Sequence, residues 1–129
     1  MKIVEKPWGH EEWLEVNDNY AMKKLVVNPK QKLSLQYHEN KLETMYCIKG
    51  TGQLQMDGKY IPMMAGVFYT IKPGEVHRLV AGLQKLVIIE CSTPQLDDVV
   101  RLEDDYYRTR NQQGEENVRV QDKRDQQGS

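Results

Sequence analysis

Two histidines, a glutamate and a glutamine stand at spacings suited to holding a cation. In Leu35-Gln36-Tyr37-His38-Glu39-Asn40-Lys41-Leu42-Glu43, Gln36 and His38 are two residues apart, so on a strand both project from one face. A short turn over Glu39 to Lys41 reverses the chain and sets Glu43 on the next strand beside them. The fourth donor is His77, just past the turn Lys72-Pro73-Gly74 at the start of a later strand. Two imidazoles, a carboxylate and an amide oxygen form a mixed nitrogen and oxygen set suited to a divalent first-row metal. Four protein donors also leave room on an octahedral ion for water or substrate, as metal-ion catalysis requires. The third histidine, His10 in Trp8-Gly9-His10-Glu11-Glu12, is expected at the surface or in packing rather than as a ligand.

The elements that must position these donors have the short period of strands. Apolar runs cover Ala21–Val27, Leu33–His38, Met45–Lys49, Gly52–Met56, Tyr60–Met63, Val67–Ile71, Val76–Ala81 and Leu86–Cys91. Turn residues part them, and Asp57-Gly58 marks a hairpin because a type I′ turn needs positive φ, which Gly adopts without strain. Strands of this length and spacing, without sustained helical periodicity, predict an antiparallel sandwich or barrel. Leu96 to Tyr107 is expected to form a helical turn or two. Pro7-Trp8-Gly9 and Trp13 read as an N-terminal strand packing its rings on the barrel wall, and Met45, Met56, Met63 and Met64 as barrel filling.

Length and charge bound the rest. The 129 residues suffice for one core, and a formal net charge of −1 argues against a nucleic-acid coat. No span of about 20 apolar residues is present, so no membrane helix is expected. The charged start, Met-Lys-Ile-Val-Glu-Lys, has no apolar signal region, and a cytoplasmic location is expected. Cys47 and Cys91 are expected reduced, each as a small hydrophobe. From Arg108 to Ser129 only Val118 and Val120 are clearly apolar. Such a segment cannot bury enough surface to offset its ordering entropy, so a domain of residues 1–107 with a flexible tail over 108–129 is expected.

The spacing His38, four residues, Glu43, six residues, Gly50 resembles the first motif of the cupin superfamily. Gly66, six residues, Pro73-Gly74, two residues, His77 resembles the second. Gln36-x-His38 in place of His-x-His is similar to one branch, the type II phosphomannose isomerase cupins. So are Lys6-Pro7-Trp8-Gly9, Leu33-Ser34-Leu35-Gln36-Tyr37-His38, Val76-His77-Arg78-Leu79, and Ser92-Thr93-Pro94 with Leu96 to Asp104. The resemblance implies an all-β fold: a single cupin domain, a double-stranded β-helix or jelly-roll barrel, pairing as a homodimer. The chain departs from the branch at Glu39, Asn40 and Lys41, where histidines and an arginine are usual, at Lys6 for Arg, and at Ala81 for Asn. Its 129 residues leave no room for the nucleotidyltransferase domain that often precedes this cupin, so guanylyl transfer is not expected.

By the same resemblance, Gln36, His38, Glu43 and His77 would hold one divalent metal ion: zinc first, with manganese, nickel, iron or cobalt as the other candidates. The implied activity is aldose–ketose isomerisation of a phosphorylated hexose through an enediol, similar to the interconversion of mannose 6-phosphate and fructose 6-phosphate. The partner is then a small sugar or sugar phosphate, with Arg101, Lys41 and Lys23 as the cations to meet its anionic group. No residue is singled out as the catalytic base. The acidic cluster Asp97, Asp98, Glu103, Asp104 and Asp105 reads as a solvated face. Two other functions stay open: a non-catalytic carbohydrate-binding or regulatory cupin, and another metal-dependent cupin enzyme such as a dioxygenase.

Overall fold

The computed structural model describes residues 1–103. Among these residues eleven strands make two antiparallel sheets, with the core between them. The first sheet has six strands in the order β1 (Lys2–Lys6), β2 (Gly9–Val16), β3 (Ala21–Val27), β10 (Leu86–Ser92), β5 (Glu43–Lys49) and β8 (Phe68–Ile71). The second has five: β11 (Val100–Glu103), β4 (Leu35–Tyr37), β9 (His77–Ala81), β6 (Thr51–Met56) and β7 (Lys59–Met64).

The alternation of each strand decides what enters the barrel. On β3 the inward phase is Ala21, Lys23, Leu25 and Val27; on β10 it is Leu86, Ile88, Glu90 and Ser92. β9 turns His77, Leu79 and Ala81 inward, opposite Met56, Leu54 and Gly52 of β6. Asp57 and Gly58 close the β6–β7 hairpin at φ of 50° and 75°, the two positive values of the expected turn. Gly50 stands where the chain passes Lys85 so closely that an added Cβ would lie 1.8 Å from its carbonyl oxygen.

Five expectations change. Residues 100–103 are strand β11 rather than a helical turn, paired to β4 through Val100↔Tyr37 and Arg101↔Gln36. The short strand β4 has backbone groups to satisfy on both sides, and that demand outweighs the local leaning of a charged run. The N-terminal strand is a full hairpin, β1 with β2, turning at Pro7-Trp8. Trp8 is fully buried, while Trp13 stays half-buried, with the ammonium groups of Lys2 and Lys23 each 4.5 Å from its ring centre. Met45, Met56 and Met63 fill the core, but Met64 falls on the outward phase and is exposed. Cys47 is a buried core residue, whereas Cys91 takes the outward phase of β10 and is exposed. The expected tail, 108–129, lies outside the described residues.

Candidate metal centre

Three donors meet at one end of the barrel. His38, Glu43 and His77 each offer an atom within 4.8 Å of the others. The Nε2 atoms of His38 and His77 lie 3.3 and 3.2 Å from Glu43 Oε2. Gln36 lines the same cavity. Its amide nitrogen donates to the Ser34 carbonyl and hydroxyl at 3.2 and 2.9 Å, which fixes the direction of the amide. The register explains the meeting: Gln36 pairs with His77 across β4 and β9, so both face inward side by side. None of the four is more than 2 % exposed, and the cavity measures about 10 Å³, room for one ion or one water.

The outer nitrogens of both rings are committed. His38 Nδ1 donates to the carbonyl of Asp98, and His77 Nδ1 donates to the carbonyl of Glu75 at 2.9 Å. A ring so held, when neutral, carries its lone pair on Nε2. Two imidazole lone pairs and Glu43 Oε2 then converge with no hydrogen among them, while Lys41 holds the other carboxylate oxygen. A cation is the species that resolves such a meeting of acceptors. The donor chemistry fits a divalent metal ion.

Around this point runs a chain of buried charges. Lys41 Nζ lies 3.2 Å from Glu43 Oε1 and 3.5 Å from Glu90 Oε2. Glu11 takes Lys23 at 3.6 Å, Lys6 at 3.9 Å and the Trp13 indole N–H at 2.8 Å. Burial pushes the Glu43 carboxyl up, and the Lys41 ammonium beside it leads the groups that hold it well below the usual range. Burial lowers Lys41, and Glu90 and Glu43 more than reverse this, so it stays charged. Glu90 is raised, first by burial and then by the nearby Glu43, against the pull of Lys41 and Lys23. Among the described buried residues five are Lys or Arg and three are Glu, a surplus of positive charge.

The candidate cations are thus all inside, in different company. Arg101 pairs with Gln36 across β4 and β11, in the row that continues to His77, and so shares the donors' face. Lys41 reaches the cavity itself. Lys23 faces inward one row away, on Glu11 and the Trp13 ring. His10 sits half-buried, 3.0 Å from Glu12, away from the cluster. Sequence reasoning missed Glu90 and Glu11. Yet the alternation Leu86, Ile88, Glu90 already placed an acid on a core face, and a buried acid calls for a cation. It also misplaced Asp98 on a solvated face. That carboxylate accepts three consecutive backbone N–H groups, from Glu39, Asn40 and Lys41, at 2.9, 2.7 and 2.9 Å. They hold its carboxyl below the usual range despite partial burial.

Two antiparallel sheets closed on one core, with imidazoles and a carboxylate gathered at one end of the interior, define a cupin. A solved RmlC-like cupin from Shewanella frigidimarina superposes with a TM-score of 0.65 at 17 % identity, covering 72 % of this chain and 83 % of that one. The chain belongs to the family described as mannose-6-phosphate isomerase C-terminal, which it matches over residues 1–104. It is similar to the alginate biosynthesis protein AlgA of Pseudomonas aeruginosa, 34 % identical over 110 residues, covering 82 % of this chain and 23 % of that protein. It is also similar to the mannose-1-phosphate guanylyltransferase of Escherichia coli, 32 % identical over 116 residues, covering 81 % and 23 %. The chain thus spans less than a quarter of the length of these curated relatives. No described helix is long and apolar enough to cross a membrane.

Proposed function

We propose that this cupin is a metal-dependent isomerase that interconverts the aldose and ketose forms of a phosphorylated hexose. The observation that carries the reading is the meeting of His38, Glu43 and His77 at one point, inside an interior with surplus positive charge. The family's description and the relatives' names add mannose phosphates as the substrate class. Gln36, His38, Glu43 and His77 would hold the ion, with zinc the first candidate and manganese, nickel, iron and cobalt the others. When bound, such an ion supplies Lewis-acid polarisation of a sugar carbonyl. The chain's own residues bind and orient. Glu43, kept ionised by Lys41, supplies the negative ligand. Arg101 and Lys41 meet the anionic end of the substrate, Arg101 from the donors' own row.

Elemental analysis of the purified protein, paired with an isomerase assay on mannose 6-phosphate across divalent metals, tests this. One metal per chain and a fructose 6-phosphate product are expected; a loaded protein without product refutes the isomerase.

One observation favours a second reading, a non-catalytic carbohydrate-binding or regulatory cupin. The cavity has room for a single ion or water, and its donors are buried, so a hexose phosphate reaches them only if the wall moves. Under that reading calorimetry shows sugar phosphate binding with no turnover. A homodimer is part of the proposal: Tyr46 and Phe68, stacked 6.3 Å apart on the outer face of the first sheet, would be covered by a second copy. Sedimentation at twice 15.1 kDa is then expected.

A further inference from the structure

Four consecutive amides follow His38, and each has its acceptor in the segment between β10 and β11. The N–H groups of Glu39, Asn40 and Lys41 donate to the Asp98 carboxylate, and that of Leu42 donates to Thr93 Oγ1 at 3.0 Å. Thr93 returns a bond from its own N–H to the Leu42 carbonyl at 2.9 Å. The same Asp98 takes the His38 ring on its carbonyl. One residue therefore grips the loop on which Lys41 rides and the nitrogen that sets the His38 tautomer. β11, which carries Arg101, begins two residues later.

We infer that Asp98 is the positioning residue of the centre: its carboxylate clamps the 39–41 loop, and the clamp holds its carbonyl against His38 so that Nε2 faces Glu43. Three amides on one carboxylate make a charge-assisted grip stronger than neutral bonds. A carbonyl behind a ligating imidazole fixes ring orientation and protonation. His77 has an equivalent partner in Glu75, but from its own turn, within two residues. Only His38 depends on a residue sixty positions away. The metal part of the inference rests on the proposed centre; the tautomer part does not.

The test uses metal-free and metal-titrated full-length protein. Long-range nitrogen–proton NMR in alkaline buffer reads the three histidine tautomers, and a chelator competition with zinc reads affinity. In wild type both His38 and His77 are expected protonated on Nδ1. In Asp98→Ala the His38 signal is expected to move to mixed tautomers while His77 stays, and zinc affinity to fall about 10- to 100-fold. Asp98→Asn keeps one acceptor oxygen and should lose less of both; if Asp98→Ala does not fold, it decides alone against wild type. An unchanged His38 tautomer in the deciding variant overturns the inference. A wild type that binds no zinc or other divalent ion sinks the metal reading instead, and the tautomer result still decides the role of Asp98.

Discussion

The barrel interior has two ends built from the same strands, and they are held by opposite means. Toward one end β3, β5 and β10 turn in Leu25, Val27, Cys47, Leu86 and Ile88, which meet Leu54, Leu79 and Ala81 of the other sheet. Toward the other end the same three strands turn in Lys23, Glu43 and Glu90, facing Gln36, His77 and Arg101. The change takes a single step of two residues, from Ile88 to Glu90 or from Leu25 to Lys23. The apolar end is stabilised by area removed from water. The polar end must be offset charge by charge, because an ion buried without a partner costs several kcal/mol. So the apolar end is held by packed area, while the polar end is held only as long as each of its charges has a partner.

The largest break expected is Glu43→Ala. It removes the negative member of the donor cluster and leaves Lys41 and its neighbours undercompensated, so metal occupancy is lost and stability falls by about 3–5 kcal/mol. Elemental analysis and denaturant melts check both; retained metal would show that Glu43 is not a ligand. Next is Ile88→Ala at the apolar end, costing about 2–5 kcal/mol through lost burial and a cavity. Its metal content per folded molecule is expected to stay at the wild-type level. If Ile88→Ala empties the centre as Glu43→Ala does, the two ends are not separate structures.

The same contrast divides what is legible in the sequence from what is not. Period-2 alternation carries the strands, and it placed Ala21–Val27 with the bounds the fold has. The donor spacing carries Gln36, His38, Glu43 and His77 because strand phase and turn length decide which residues share a face. Glu90 and Glu11 escaped because each sits singly in a run, and the partners that make them part of the site, Lys41 and Lys23, come from other strands. Asp98 escaped for the same reason in reverse. In a row of acids nothing marks the one whose oxygens meet three amides fifty-seven to fifty-nine residues away. β11 escaped because its partner, β4, is only three residues long and its need for a neighbour is not local.

Acid sharpens the comparison further. Glu43 and Asp98 both have folded-state values below the ordinary 4.5 and 3.8. Each therefore contributes stability that is full above the ordinary value and lost as pH falls through the folded one. Glu90 runs the other way: its raised value disfavours the fold at neutral pH, and the penalty is relieved as the group takes up its proton. Melting temperature followed from neutral to acid pH should therefore hold in wild type until below the ordinary carboxylate range. Asp98→Asn is expected to flatten that acid limb. Ile88→Ala is expected to lower the whole curve without changing its shape, and a changed shape would tie the apolar end to the titration.

The two cysteines give the smallest test, one on the apolar core and one outside it. Cys47 lies in the inward phase of β5, fully buried; burial pushes its thiol up, and Sγ donates to the Lys49 carbonyl at 3.5 Å. A thiol so placed has little thiolate and no path for a reagent. Cys91 is exposed on the outward phase of β10. Native protein is therefore expected to give one fast equivalent with a disulfide reagent, and denatured protein two. Glu43→Ala should bring the second equivalent forward only as far as it lowers global stability, and Ile88→Ala, whose side chain pairs with Cys47 across β10 and β5, should bring it forward more for the same loss of stability. Equal exposure of Cys47 in the two variants at matched stability would mean that the interior opens as one unit, and that the division between its ends is a matter of chemistry alone.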